Sequence, residues 1–270
     1  DWLPNDDLLV FGSISRGFKS GGYGSFPASQ LMQWAPYDSE TLTAYEAGIK
    51  WTLAEGKAQL NASAYYYDYE DRQVVSTMHD IIFGPLTTYA NAPESTLKGF
   101  EIELNWIPAE GWEVRQALGY SSGEFDEFID YDGGTVIQNG PDPETGLWLD
   151  PVYIDRSGED APGTDWQYSG LLAYQADLTG SLDWRLQFDY AYRDVYTSIL
   201  GPDYDLESYW LLNAQFSLIQ KEGRWNLALW GRNLADEEYF TDKNFYNEAV
   251  IMGAVGAPRT YGIRFTYNWF

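Results

Sequence analysis

The sequence lacks several residue types whose absence rules out whole classes of chemistry. It contains no cysteine and a single histidine, His79, in 270 residues. Disulfide bonds and thiol nucleophiles are therefore excluded, and one imidazole cannot by itself supply a multi-histidine metal site. A catalytic triad would have to use His79, which we place in a loop. Motifs typical of serine hydrolases, nucleotide-binding loops and zinc proteases are missing, so the sequence predicts no catalytic residues and no cofactor.

Positive charge and long apolar runs are also scarce. The chain has 16 Lys and Arg against 41 Asp and Glu, giving a formal net charge of -25. Without a basic footprint, nucleic acid is excluded as a partner. No stretch approaches the roughly 18 apolar residues that a membrane helix needs. A helical membrane protein is therefore excluded, whereas a transmembrane β-barrel is not, because its strands carry apolar side chains only at alternate positions.

What the sequence does contain is a series of segments with alternating polarity. We predict ten strands, at about 7–19, 40–53, 57–78, 87–107, 112–125, 164–178, 182–199, 206–220, 223–234 and 257–269. Short glycine-containing turns at 54–56, 108–111, 179–181 and 221–223 alternate with longer loops at 20–39, 79–86, 126–163, 200–205 and 235–256. Short turns on one side and long loops on the other predict an all-β, antiparallel, up-and-down transmembrane barrel.

Aromatic residues occupy particular places on the apolar face of these strands. A first set lies beside the short turns or the C-terminus: Trp51, Trp106, Trp112, Trp184, Trp225 and Trp269. A second set lies further along the same faces: Tyr45, Tyr120, Trp166, Tyr192, Trp210 and Tyr261. Eight residues of strand span roughly 26 Å, or about 20 Å along the membrane normal after a tilt of about 40°. We therefore predict that the six tryptophans lie at a membrane–water interface, in contact with outer-membrane lipid.

The last part of the chain reads Asn233-Leu234-x-Asp236-x-x-Tyr239 and then Gly256-x-Pro258-Arg259-x-Tyr261-Gly262, ahead of an aromatic terminal strand. These motifs resemble the end of the TonB-dependent outer-membrane receptors. Segments 15–23, 40–50 and 91–103 resemble earlier barrel strands of the same family, in the family's order. The resemblance therefore extends over nearly the whole chain.

This resemblance implies a larger protein. Members are plugged 22-stranded barrels, so residues 1–270 are expected to form the C-terminal part of the barrel, with the plug domain absent from this chain. The implied partners are the plug, TonB, outer-membrane lipid, the barrel assembly machinery and a small ligand. The implied activity is energised uptake of a scarce nutrient, most often an iron–siderophore complex, across the bacterial outer membrane. Gly262, Phe265, Tyr267 and Phe270 resemble the C-terminal signal that the assembly machinery reads.

Two other functions remain open at the level of the sequence. One is a passive channel made of a complete ten-stranded barrel. The other is a soluble β-domain that binds carbohydrate or protein. The sequence does not identify ligand-binding residues: Trp34, Trp148, Tyr153, Tyr204 and Tyr246 lie near loop ends, where their rings suit stacking on a ligand but suit loop packing better.

The segment 126–165 is unusually acidic, with eleven Asp and Glu against Arg156 alone. Its simplest interpretation is a solvated, mobile loop. A weaker alternative is a Ca²⁺ site formed by Asp126, Asp130 and Asp132, although their spacing does not match an EF-hand. A third is divalent ions that bridge to lipopolysaccharide. The acidity also disfavours a strongly anionic ligand, unless buried bases override it.

Overall fold

The computed structural model is built around a single antiparallel sheet of eleven strands, each hydrogen-bonded to the next one along the chain. It describes residues 1–24, 30–198, 202–247 and 250–269. The sheet strands are β1 (Trp2–Asn5), β2 (Leu8–Lys19), β3 (Glu40–Leu53), β4 (Ala58–Asp80), β5 (Gly84–Trp106), β6 (Trp112–Glu127), β7 (Trp166–Thr179), β8 (Leu182–Arg193), β9 (Tyr209–Gln220), β10 (Trp225–Arg232) and β11 (Thr260–Tyr267).

All ten predicted strands are present, and the eleventh is the short β1, which pairs with the start of β2. Within the described residues β1 and β11 are the two edges of the sheet and do not pair with each other, so these eleven strands are not a closed barrel. This arrangement does not support the complete ten-stranded channel.

The predicted loop at 79–86 is wrong. β4 and β5 continue outward as one long hairpin until Asp80 pairs with Gly84. The turn between them is tight because Asp80 Oδ1 accepts hydrogen bonds from the backbone N–H groups of Ile82 and Phe83, at 2.8 and 2.9 Å. His79 therefore lies in a strand and not in a loop, where its Nδ1 is 3.1 Å from the Tyr131 hydroxyl.

The longer connections contain short elements of their own. Two-stranded ribbons join Gly22–Tyr23 to Pro36–Tyr37, Ile129–Tyr131 to Tyr153–Asp155, Gly163–Thr164 to Tyr196–Thr197, and Phe240–Asn247 to Val250–Val255. The helices are α1 (Gly133–Asn139) and three 3₁₀ turns, Leu31–Trp34, Ala54–Gly56 and Pro202–Tyr204. Across the described ranges, none of the helices is long and apolar enough to cross a membrane.

The sheet has an apolar face and a polar face, as the alternating pattern predicts. The cross-strand pairs join apolar residues to apolar residues: Leu172 pairs with Phe188, and Phe188 pairs with Ala214. The apolar face does not pack against a second layer, since Phe188 is 46% exposed and Ile263 is 70% exposed. Because a soluble β-sandwich must bury this face, the structure argues against the soluble-domain alternative.

Four glycines let a large side chain lie flat against the neighbouring strand. The direct cross-strand pairs are Gly48 with Phe11, Gly99 with Tyr65, Gly170 with Tyr190, and Gly262 with Trp230. A Cβ atom at any of these glycines would lie 2.5–2.7 Å from the partner's ring or hydroxyl. An aromatic ring that covers a strand glycine compensates for the missing side chain.

We expect Gly99→Ala to destabilise the sheet by about 1–3 kcal/mol, because the new methyl group would collide with the Tyr65 hydroxyl and the Tyr120 carbonyl oxygen. Gly119→Ala is the matched control, since it lies on the next strand of the same face and a Cβ there meets nothing within 4 Å. Thermal unfolding of the detergent-solubilised protein measures the difference. Equal unfolding temperatures for the two variants would contradict the packing role of Gly99.

Candidate functional site

Five of the six tryptophans predicted at an interface lie on the apolar face at the turn-side ends of their strands, and Trp269 follows the end of β11. Ring contacts join several of them into a lower aromatic row: Trp112 with Tyr174 at 4.8 Å, Tyr174 with Trp184 at 5.5 Å, Trp225 with Phe265 at 6.5 Å, and Tyr267 with Trp269 at 4.9 Å between centroids. Trp106 and Trp269 are 42% and 88% exposed. These rings are therefore not buried in a dry protein interior.

An upper aromatic row lies near the opposite ends of the same strands. Tyr120 contacts Trp166 at 4.7 Å, and Trp210 contacts Tyr192 at 4.9 Å and Tyr168 at 6.2 Å. The band between the two rows is mostly apolar. Its polar exception is Gln116, whose Oε1 accepts hydrogen bonds from the hydroxyl groups of Tyr168 and Tyr190.

On the polar face, a charged network crosses several strands near the short turns. Glu113 on β6 bonds Arg115 on its own strand and Arg185 on β8, the latter at 2.7 Å. The intervening strand β7 contributes Ala173, only 1% exposed, in register with Glu113. Such a small residue leaves room for the ion pair to reach across the strand. The network continues to Asp189 through Gln187, with 3.3 and 3.1 Å hydrogen bonds.

Closer to the loops, the same face forms a shallow hollow of about 480 Å³. Small residues, such as Ala117, Gly119 and Ser169, line its floor, and polar ones surround it: Tyr65, Glu101, Ser121, Asp165, Gln167, Arg193 and Tyr209. Beside it, the Tyr65 and Tyr67 rings stack at 4.8 Å, and the Tyr67 hydroxyl donates to Glu46 at 2.6 Å. Hydroxyl, carboxylate and guanidinium groups therefore surround a floor without bulky side chains.

The acidic segment 126–165 is folded, which contradicts its interpretation as a mobile loop. It contributes Phe128 and Ala161 to one buried cluster with Val74, Ala92 and Phe125 of the sheet. A second cluster contains Tyr131, Val136 and Trp148, and the Trp148 indole also lies against Gly84 at the tip of the long hairpin. This core was not predicted from the sequence, because its apolar residues are scattered among the acidic ones without a regular period.

Loop packing is therefore the role of Trp148, which is 9% exposed. Tyr153 packs edge-on against Tyr131 at 5.8 Å yet remains 64% exposed. Trp34 is 52% exposed and Tyr204 is half-buried. The Tyr246 side chain lies outside the described part of the structure.

The three carboxylates considered for Ca²⁺ do not converge. Asp130 is buried and accepts hydrogen bonds from Ser76 and from Arg156 Nε, the latter at 2.9 Å. Asp132 caps α1 by accepting from the Thr135 backbone N–H at 2.9 Å, whereas Asp126 is exposed. Within residues 1–24, 30–198, 202–247 and 250–269, no group of three or more acidic or histidine side chains is placed to hold an ion.

Two further acids of this segment, Asp142 and Asp155, act as acceptors in local turns. Hydrogen bonds from the Thr145 side chain and backbone hold the pKa of Asp142 below its ordinary value. The side chain and backbone of Ser157 lower the pKa of Asp155 in the same way. These carboxylates stabilise the turns of the segment in their charged form, above the lowered pKa values.

The terminal motif forms a clamp at the base of the Phe240–Val255 hairpin. Asn233 is 4% exposed and bonds Glu237 through both backbone groups, at 2.9 Å each, and the Ala257 carbonyl at 3.1 Å. Arg259 bonds Asp236 through its backbone N–H and its guanidinium, both at 3.1 Å. Asn233 and Asp236 have positive φ angles of 49° and 59°, which Asn and Asp tolerate better than most residues. The motif therefore fixes where the hairpin leaves β10 and rejoins β11.

Residues 1–234 match the family model described as TonB dependent receptor-like, beta-barrel. The chain belongs to this family of TonB-dependent receptors. Its members are outer-membrane proteins of Gram-negative bacteria, which places this chain in the same membrane. The receptor assignment is thus favoured over the channel and soluble-domain alternatives.

Individual relatives agree with the family assignment. The chain is 35% identical over 86 residues to a ferric-pyoverdine BN7/BN8 receptor of Pseudomonas putida, a match that covers 32% of this chain and 10% of that protein. The ferric yersiniabactin uptake receptor FyuA of Yersinia pestis has a TM-score of 0.75 at 19% identity, over 100% of this chain and 36% of that one. The siderophore receptor PiuA of Acinetobacter baumannii has a TM-score of 0.67 at 18% identity, over 97% and 34%. The chain thus spans about a third of the length of these solved receptors.

For the TonB-dependent receptor segment 126–165, we expect Asp130→Ala to loosen the fold locally. The change removes the closer of the two acceptors of the Ser76 hydroxyl and one of the two carboxylates of Arg156, so it should cost roughly 1–3 kcal/mol of local stability. Limited proteolysis should then cut within 126–165 faster, while the barrel keeps its unfolding temperature. Asp150→Ala, at an exposed position, is the control. Unchanged proteolysis of the Asp130 variant would contradict this role.

For the clamp, we expect Asn233→Ala to cost about 2 kcal/mol or more, because it removes three hydrogen bonds of a buried side chain. Asp236→Asn should cost under about 1 kcal/mol, because its ion pair with Arg259 is half exposed and an amide oxygen can still accept the Arg259 N–H. Hydrogen exchange at the Leu234 and Gly256 amides measures the difference. Faster exchange in the Asp236 variant than in the Asn233 variant would reverse this ranking.

Proposed function

We propose that this chain forms part of the barrel wall and outer loops of a receptor for TonB-energised uptake of an iron–siderophore complex. Membership in the TonB-dependent receptor family carries the proposal. The printed names of three relatives add the ligand class: a ferric-pyoverdine receptor, a ferric yersiniabactin uptake receptor and a siderophore receptor. None of these proteins is similar enough over its length to transfer its particular ligand.

In this proposal the apolar face meets lipid, and Trp51, Trp106, Trp112, Trp184, Trp225 and Trp269 lie at the periplasmic interface. The exposure of Trp51, Trp106, Trp112 and Trp269 supports this orientation, as does the place of the set beside the short turns or the C-terminus. Charges on the other face would be costly in hydrocarbon, so that face lines a water-filled or protein-filled lumen. Further strands would pair with the open edges of β1 and β11 and close the barrel.

The polar face is then where a plug domain and the ligand make contact. The network from Glu113 to Asp189 pairs its charged groups with one another and suits a surface that is covered by another protein layer. The hollow near the loops has unfilled space and mixed polar groups, which suit a small ligand. TonB acts on the plug side in this proposal, at a distance from the residues described here.

The terminal strand has a second proposed role in assembly. Gly262, Phe265 and Tyr267 lie on β11, which among the described residues pairs with β10 alone, so its other backbone edge can accept another strand. Phe270, the fourth residue of the predicted signal, lies outside the described residues. We propose that the barrel assembly machinery recognises this aromatic edge.

The test is deletion of the complete gene in its native host under iron limitation. Uptake of radioactive iron supplied as the host's own siderophore complex should be lost, and the complete gene should restore it only in cells that also have TonB. The deletion strain and the complemented strain keep the same unrelated porins, so passive entry of the complex through porins is equal in both. Full uptake in the deletion strain, or restoration without TonB, would contradict the proposed function.

A further inference from the structure

A polar side chain lies in the middle of the apolar face of the sheet. Gln116 shares this face of β6 with Trp112 and Tyr120, which belong to the lower and the upper aromatic row. It is four residues from each of them, so about 13 Å of strand separates it from either row. After a tilt of about 40°, this distance is about 10 Å along the membrane normal. In the proposed orientation, Gln116 therefore lies near the middle of the hydrocarbon layer.

Two tyrosines of the neighbouring strands bond this side chain. Gln116 Oε1 accepts hydrogen bonds from the hydroxyl groups of Tyr168 on β7 and Tyr190 on β8, the latter at 2.7 Å. Gly170 pairs with both Gln116 and Tyr190. A Cβ atom there would lie 2.7 Å from Gln116 Oε1 and 2.5 Å from the Tyr190 hydroxyl oxygen. The side chains of Gln116 and Tyr190 thus lie over the glycine, flat against the sheet.

The hydrogen bonds of this cluster are incomplete. An amide has its oxygen at one end and its NH₂ group at the other, and only one end can face the two hydroxyl groups. Within the described part of the chain, the Gln116 Nε2 group makes no hydrogen bond, and each hydroxyl oxygen keeps at least one unused lone pair. A donor without an acceptor is costly in hydrocarbon. Lipid headgroups, at the level of the aromatic rows, are too distant to supply the acceptor.

We propose that Gln116, Tyr168 and Tyr190 form a contact between two copies of this protein within the membrane. The proposal rests on the proposed function for the orientation that turns the apolar face to lipid. The cluster is self-complementary, because it has both a spare donor and spare acceptors. Around a two-fold axis through the cluster, Gln116 Nε2 of each copy donates to a tyrosine hydroxyl oxygen of the other. Polar side chains join membrane-spanning segments by hydrogen bonds of this kind.

The surroundings of the cluster suit a contact between two apolar walls. Leu172, Phe188 and Leu212 are 38%, 46% and 43% exposed on the same face of β7, β8 and β9. Between the aromatic rows, the positions of β6, β7 and β8 on this face carry no charged residue, so two copies can approach without burying an unpaired charge. A different membrane protein would need donors and acceptors at matching positions, whereas a second copy supplies them by symmetry.

Cysteine crosslinking in isolated outer membranes tests the contact, because this chain has no cysteine of its own. The complete receptor carries Leu172→Cys, two residues from Gly170 on β7, and copper phenanthroline oxidises close thiols to disulfides. Leu229→Cys is the matched control, since Leu229 is 53% exposed on the same face of β10, three strands away. The receptor without either change is the blank. We expect a disulfide-linked dimer for Leu172→Cys and only background crosslinking for Leu229→Cys.

Gln116→Leu in the Leu172→Cys receptor separates hydrogen bonding from apolar packing. It removes the spare donor of both copies, so the receptor in lipid vesicles should need about tenfold more protein per lipid to reach the same crosslinked fraction. This is the loss that two hydrogen bonds in a membrane predict. A triple variant with Gln116→Leu, Tyr168→Phe and Tyr190→Phe should show the same loss without leaving a hydroxyl group unpaired. The unfolding temperature of each variant verifies that the barrel is folded.

Three results would overturn the contact. Equal crosslinking at Leu172→Cys and Leu229→Cys would indicate random collision. An unchanged crosslinked fraction in the single and the triple variant would indicate apolar packing without hydrogen bonds. Crosslinks from Leu172→Cys to other proteins alone would assign the cluster to a different partner.

A second measurement tests the orientation separately from the contact. A bimane label on each cysteine is read at high lipid dilution in vesicles of phospholipid brominated near the middle of the acyl chain. Quenching of both labels without any crosslinked dimer would contradict the contact and leave the proposed orientation intact. No quenching of either label would contradict the orientation as well. The deletion test of iron uptake does not depend on either result.

Discussion

The structure depends on one constraint, which is that a single sheet must satisfy its backbone hydrogen bonds by strand pairing while its two faces meet opposite solvents. Every strand between β1 and β11 has a partner on both sides, so N–H and C=O groups in the middle of the sheet need no water. This is the condition for crossing hydrocarbon with strands. The side chains then obey a period of two, with Phe188 on one face and Asp189 on the other. The lipid-facing surface and the lumen of the proposal both follow from this division.

The same constraint explains why the polar face is organised into networks. In the proposed orientation, charges that cannot face lipid share one side of the sheet, where long side chains span neighbouring strands. Arg185 reaches Glu113 across β7 because Ala173 leaves the space. Glycine has a comparable role beneath Tyr65 and Trp230, where the absence of a Cβ lets a ring lie on the adjacent strand. Small residues are thus placed opposite large ones, and one layer of protein achieves packing that a globular domain achieves with two.

The sheet was predictable from the sequence because its strands have a regular period of polarity. The structure within the loops was not predictable, because the loop residues have no such period. The ten strands and the short turns followed from alternation and glycine, which are properties of neighbouring residues. The folded segment 126–165 did not follow, because Phe128 and Trp148 are buried against residues distant in sequence. The clamp shows an intermediate case. Its residues Asn233, Asp236 and Arg259 were recognisable as a family motif, but the pairing of Asp236 with Arg259 required the structure to bring two ends of a hairpin together.

Ligand choice cannot reside in the sheet itself, because receptors that share it are named for different cargoes. The copper transporter OprC has a TM-score of 0.66 to this chain, close to the 0.67 of the siderophore receptor PiuA. Backbone geometry therefore does not separate a metal ion from an organic chelate. What differs between such proteins must be the side chains that reach the lumen and the loops above it. On the polar face of this chain, the side chains near the loops include a carboxylate at Glu101, a phenol at Tyr65 and a guanidinium at Arg193.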